Sequence, residues 1–301
     1  MSEISSPLEH SNLIIPSKEC SSNTSGAVSP EPEPEFHFNY HFTSKIDGYY
    51  STNVQDLLEK WGIKHHSYIK RFIYEEYFDP QTTDESTFLK TLFNNPFFRK
   101  ECLVQHQNTW CEMKGPVDAV IYKRLTCQIT SLDFFDRLYN HDILRPSGAI
   151  IKSFPIYINS FPVTDKLRQI FLLPQSSNYD LFNNDDRNEF IFHVLQSVCL
   201  GGDICQFEDE INKYFEVVKS IYRDLICVQR NTSTGNLMVQ SYVYKINNLQ
   251  GTLLSPSLFP ISESNDESID NVPSNNFCYV TVDPVRRWVN VWYHAACEYF
   301  C

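Results

Sequence analysis

Apolar residues recur with a helical period most clearly between Asn184 and Leu225. Phe190, Ile191, Val194, Leu195, Val198 and Cys199 fall at offsets 0, 1, 4, 5, 8 and 9, one face of a helix. Asp186 with Glu189 three residues on predicts a capping box at its start. Gly201 stands where a left-handed C-terminal cap would close it, at no steric cost for glycine. Asp203 and Gln206 repeat the capping pattern ahead of Phe207, Ile211, Tyr214, Phe215, Val218, Ile221, Tyr222 and Leu225. That run predicts a second one-sided helix, about 30 Å long. Glu208, Asp209 and Glu210 in its first turn and Arg223 in its last suit the helix dipole.

Elsewhere the patterns are shorter. Residues 36–42 alternate as a half-buried strand does, and Ser51 or Thr52 caps a helix running to Trp61, closed by Gly62. Residues 63–79 are rich in aromatics without a clean period and receive no assignment. A helix is predicted from about Glu85 to Phe93, stopping near Pro96, because proline disfavours helical geometry in the residue before it. Pro116 opens a strand over residues 117–129, and Ser131 caps a helix that buries Phe134, Phe135, Leu138 and Tyr139. A strand over 149–154 and a helix from Thr164 to Leu172 follow.

After the central helices the period changes from 3.6 to 2. Residues 225–229 and 237–246 flank a turn-rich stretch and predict a hairpin. Residues 247–276 form a long connection with an acidic, flexible part at about 260–276. A second hairpin, Phe277 to Asp283 and Arg287 to His294, turns through Pro284. Helices followed by an antiparallel meander predict an α+β fold, a meander sheet packed against a cluster of helices. Residues 36–301 are read as a single domain. Residues 1–35, dominated by Ser, Pro and Glu, are read as a disordered acidic tail, having too little apolar surface to offset the entropy of ordering.

Composition narrows the function classes. The formal charge is −12 and no dense Lys/Arg block occurs, the nearest being short pairs such as Lys70–Arg71 and Arg286–Arg287, which argues against nucleic acid and anionic membranes as partners. No apolar run reaches the length of a membrane span and the opening residues lack a signal-peptide pattern, so the cytoplasm is the expected compartment. Ten cysteines in 301 residues are too sparse for a disulfide scaffold, and none forms C-x-x-C.

Individual chemistry candidates each have a blander reading. Glu189 and His193 lie four apart on one helical face but match neither the Glu-x-x-His pairs of a di-iron bundle nor the His-Glu-x-x-His of a zincin, and read as an exposed i,i+4 pair. His193 and Cys199 are six helical residues apart, about 240° round the axis, and cannot form a thiol dyad locally. Cys199, Cys205 and Cys227 lack zinc-ligand spacing and read as small apolar groups. His294-x-x-Cys297-x-x-x-Cys301 has ligand spacing, at a terminus expected to fray. Gly201-Gly202 lacks the partners of a phosphate cradle. The expectation is no catalytic site, no metal and no cofactor.

The second hairpin supplies the candidate interaction surface. With Asp283–Arg286 as the turn, Val282 opposes Arg287, Val280 opposes Val289 and Cys278 opposes Val291, an aliphatic face suited to packing on the central helices. The other face pairs Phe277 with Trp292, Tyr279 with Asn290 and Thr281 with Trp288. Phe277, Tyr279, Trp288 and Trp292 then form an aromatic docking face, unless a second layer covers it.

Three stretches also carry a likeness: Ser131 to Lys152, Ser197 to Tyr214 and Val282 to His294. They resemble the corresponding segments of the cilia- and flagella-associated protein 300 family, and the resemblance extends from Phe36 to His294. It implies a cytoplasmic and ciliary factor that assembles the outer and inner dynein arms of motile cilia, or transports them into the cilium. The implied partners are dynein axonemal assembly factors and the intraflagellar transport machinery.

Overall fold

The computed structural model describes residues 36–40, 46–158, 161–202, 204–233, 235–260 and 275–295. The expected disordered tail, the acidic loop over 261–274, the Asp203 cap and the cysteines Cys297 and Cys301 lie outside the described residues.

The first half of the chain contains β1 (Phe38–Tyr40), α1 (Thr52–Lys60), β2 (Ser67–Tyr74), α2 (Glu85–Asn94), α3 (Pro96–Glu101), β3 (Val104–His106), β4 (Thr109–Cys111) and β5 (Ala119–Leu125). Then come α4 (Arg137–Asn140), β6 (Lys152–Ile158), β7 (Phe161–Asp165), α5 (Lys166–Leu172), α6 (Asn184–Asn188), α7 (Phe190–Leu200) and α8 (Ile211–Leu225). The last part holds β8 (Val228–Arg230), β9 (Leu237–Val239), β10 (Tyr242–Gln250), β11 (Phe277–Asp283) and β12 (Trp288–His294). The fold class is α+β. Six strands form one antiparallel sheet in the order β1-β2-β12-β11-β10-β5, and three two-stranded ribbons stand apart from it.

Helix starts follow side-chain chemistry. Asp84 caps α2 through the N–H groups of Ser86 and Thr87, and Asn95 caps α3 with Pro96 in its first turn, where a missing N–H costs nothing. Asp165, one residue beyond the expected Thr164, caps α5 through Arg168 N.

Helices cover both faces of the sheet. Phe277, Tyr279 and Trp292 belong to the core beneath α7 and α8, with Phe190 5.3 Å from Tyr279 between ring centroids. Cys278, Val280, Val282, Val289, Val291 and Tyr293 belong to a second core with Phe88, Leu92, Phe93 and Phe98 of α2 and α3. The hairpin thus meets the central helices with its aromatic face, the reverse of the sequence expectation. Its register also differs: Val282 pairs with Val289 and Asp283 with Trp288, so four residues form the loop. Asp283 Oδ1 accepts from Val285 N and Arg286 N, and Arg287 takes φ +56° to close the turn. The shift is two residues, so the predicted composition of each face survives.

The central helices differ from expectation at both starts. The capping box is Asn183 with Asp186, and it begins the separate short helix α6. Glu189 is extended (ψ 132°) because strand-like bonds claim its surroundings: Thr126 N donates to Asn188 O and Phe190 N to Thr126 O. Helix α8 starts at Ile211, since Ile211 N donates to Gly148 O and Ile150 N to Asp209 O, holding the preceding segment extended. Its fifteen residues span about 22 Å, shorter than expected.

Behind α7 lies a fully buried ion pair. Arg168 binds Asp165 through Nη1, donates from Nη2 to the Cys199 carbonyl (2.8 Å) and to the Tyr214 hydroxyl (2.8 Å), and lies 3.4 Å from the centroid of the Phe207 ring. Burial is the largest single effect and lowers the guanidinium pKa, but the Asp165 carboxylate together with Tyr214, Cys199 and Cys205 outweighs it and the net shift is upward.

Gly201 closes α7 at φ +70° and ψ −166°, a region open essentially to glycine alone. A Cβ there would come 2.4 Å from Cys205 Sγ and 2.8 Å from the Trp61 carbonyl oxygen. Gly201→Val is therefore expected to cost on the order of 1–3 kcal/mol. An unchanged urea midpoint would contradict that.

Candidate interaction surfaces

Three of the four candidate docking aromatics are core residues. Trp292 is 0% exposed and Phe277 and Tyr279 are 2% exposed, so they offer no docking face; α7 and α8 are the covering layer. Trp292 packs edge-on against Phe277 at 4.5 Å and donates from Nε1 to Ser67 Oγ (3.2 Å). The physical reason is sheet position: β11 and β12 are central strands with helices on both faces, so only Trp288, at the turn end, is partly exposed.

Trp288, at the turn end of β12, is half-buried. It borders a cavity of about 110 Å³ lined by the end of α8 (Arg223 to Leu225), Ile226, Cys227 and residues of the sheet and turn. The Arg71 guanidinium lies 4.4 Å and that of Arg286 5.0 Å from the Trp288 ring centroid. Arg71 is buried and donates from Nε to Asn290 Oδ1 (2.5 Å) and from Nη2 to the Asp224 carbonyl (2.5 Å). Burial lowers its pKa, with the Asp224 charge opposing. Asp224 turns its carboxylate to Tyr49 N (2.6 Å) and Gly48 N (3.3 Å), and its pKa rises chiefly through burial. Asp283 Oδ2 is buried without a hydrogen bond among the described residues, paired at 3.7 Å with Arg286 Nη1. Burial, then the Asp283 carboxylate, raises the Cys227 thiol.

The sequence patterns did not reveal this cavity. Its residues come from positions 71, 223–227 and 283–290, and the one local signal was the Lys70–Arg71 pair inside the aromatic-rich strand β2.

Other chemistry candidates resolve into structure. Glu189 is buried and accepts from Gln128 N (3.0 Å), so it forms no exposed pair with His193. His193 Nδ1 lies 3.5 Å from the Tyr279 hydroxyl, and its Nε2 has no hydrogen bond among the described residues. Lys123 and Lys245 pair directly across β5 and β10, a like-charge arrangement that is locally unfavourable, although lysine near a sheet edge discourages pairing between chains. Cys199 and Cys227 are buried; burial raises the Cys199 thiol and pushes Cys205 up to about 12. Among the described residues no three His, Cys, Asp or Glu side chains are grouped as metal ligands, and no helix is long and apolar enough to cross a membrane. Exposed apolar side chains gather instead on two ribbons: Phe154 (93% exposed), Ile156 and Tyr157 on β6, and Leu237 and Met238 on β9.

A half-buried histidine, His193, and a fully buried one, His294, make stability depend on pH. Burial pushes His193 down to about 3 and His294 to about 4, from an ordinary value of 6.5. The unfolded chain binds protons at both below about pH 6.5, whereas the folded chain binds neither until about pH 4. Stability is thus expected to be whole above that window and to fall as pH drops through it. The limit is about 1.4 kcal/mol per pH unit per histidine. Urea midpoints at about pH 7 and pH 5, above most carboxylate titration, measure the effect. His294→Asn retains a donor for the Asn275 carbonyl and should flatten the slope; an unchanged slope would contradict the neutral buried state.

Comparison with known proteins places these features. The family model for cilia- and flagella-associated protein 300 matches residues 35–294. The protein of that name from Chlamydomonas reinhardtii is 33% identical over 250 residues, covering 82% of this chain and 93% of the relative. Its namesake from Paramecium tetraurelia is 29% identical over 236 residues, covering 78% and 84%. No solved structure matches the chain.

Proposed function

Because the chain belongs to the cilia- and flagella-associated protein 300 family, we propose that it is a protein-interaction factor for the outer and inner dynein arms of motile cilia. It acts in their assembly in the cytoplasm or in their intraflagellar transport, beside dynein axonemal assembly factors and the transport machinery. The observation that carries this reading is the extent of the match, which runs from before β1 to the last residue of β12. The likeness thus embraces the whole sheet and both helical layers. The exposed apolar ribbons support an interaction role, since side chains such as Phe154 contribute nothing to the core. No catalytic role is assigned.

The decisive experiment removes the protein from a ciliated cell and examines axoneme cross-sections by electron microscopy. Missing outer and inner dynein arms are expected, and normal arms would overturn the reading. Cilium fractionation distinguishes a structural axonemal component. A factor of assembly or transport should enter the detergent-soluble pool, whereas a component would resist extraction with the doublets.

A further inference from the structure

The cavity beside Trp288 holds charge it does not balance and an acceptor it does not satisfy. Arg71, Arg223 and Arg286 line it against Asp224 and Asp283, a surplus of one positive charge in a chain of formal charge −12. Arg71 is engaged with Asn290 and the Asp224 carbonyl, and the Asp224 carboxylate with Gly48 and Tyr49. Three groups remain. The Arg223 guanidinium has no hydrogen bond or ion pair among the described residues, Arg286, about half exposed, meets Asp283 Oδ2 only as a long ion pair of 3.7 Å, and Asp283 Oδ2 has no hydrogen-bond donor among them although Asp283 is 3% exposed.

We propose that this cavity docks the C-terminus of a partner polypeptide, with the terminal carboxylate on Arg223 and Arg286 and the last amide N–H on Asp283 Oδ2. A guanidinium receives a planar carboxylate through two parallel N–H···O bonds. The terminal carboxylate carries the single charge that the lining lacks, whereas a phosphate dianion exceeds it and confronts Asp283. In a chain end, carboxylate and amide N–H share one Cα, so both unmet needs are answered by one residue. An internal Asp or Glu sets its carboxylate farther from its own N–H. The cavity's small volume suits the end of a chain rather than a longer segment. Capture of a C-terminal carboxylate is an established mode of peptide recognition.

The test uses the full chain labelled with ¹⁵N, reading the Trp288 indole N–H signal, assigned by its loss in Trp288→Phe. The probes are acetyl-Ala-Gly with a free carboxylate, acetyl-Ala-Gly-amide, acetyl-Ala-Glu-Gly-amide, acetate and inorganic phosphate. A saturable shift with the free-carboxylate dipeptide is expected, with each other probe at least about tenfold weaker. Arg223→Gln and Arg286→Gln, both at exposed side chains, should each weaken the dipeptide about tenfold at an unchanged urea midpoint. Asp283→Asn keeps an oxygen for the turn and should erase the dipeptide's advantage over acetate. Equal binding by the amide, by the internal glutamate or by phosphate would overturn the proposal. So would an absent shift at millimolar dipeptide, or glutamine variants that bind as the parent does.

Discussion

Arg168→Met is expected to lower the stability of the folded chain by about 3–5 kcal/mol. The cause is what it leaves behind: Asp165, 0% exposed, would keep a carboxylate oxygen whose cation is gone. The Tyr214 hydroxyl and the Cys199 carbonyl lose their guanidinium donor in the same step, and the Phe207 ring loses its cation. The double variant Asp165→Asn with Arg168→Met should recover most of the loss. It removes both charges, and the Asn oxygen can still accept from Arg168 N, the bond that caps α5. Urea unfolding of the two variants beside the parent measures the effect. A double variant as unstable as the single one would show that hydrogen bonding and packing, rather than the unpaired charge, dominate.

Trp292→Ala is expected to cost about 3–5 kcal/mol, as deletion of a fully buried aromatic does. The ring fills space between β12 and the helical layer and touches Phe277 and Tyr279, so its loss opens a cavity that central strands cannot close. Trp292→Phe keeps a ring but not the hydrogen bond to Ser67, and should cost less. Trp288→Ala, at a half-buried position, should also cost less than Trp292→Ala. A thermal midpoint unchanged in Trp292→Ala would revive the docking face that burial rules out.

Legibility followed the range of the deciding interaction. The closure of α1 before Gly62, the end of α2 before Pro96, the positive φ of Gly201 and the existence of both C-terminal hairpins were readable, because each depends on residues within a few positions. Strand β2 was not readable. It is buried on both faces in part of its length, which removes the alternation that marks a half-buried strand. The Trp288 cavity was equally hidden, being closed by segments more than 200 residues apart.

The sequence by itself therefore determined the α+β class, the composition of each hairpin face and most helix stops, since backbone geometry and capping are local chemistry. Only the tertiary structure decided where α7 and α8 begin. There, distant backbone groups, Thr126 for one and Gly148 with Ile150 for the other, hold the preceding chain extended. It also decided which hairpin face meets which helical layer. Pattern can separate two faces, but when both are buried, the partner each receives depends on the shape and volume of elements far away in the chain.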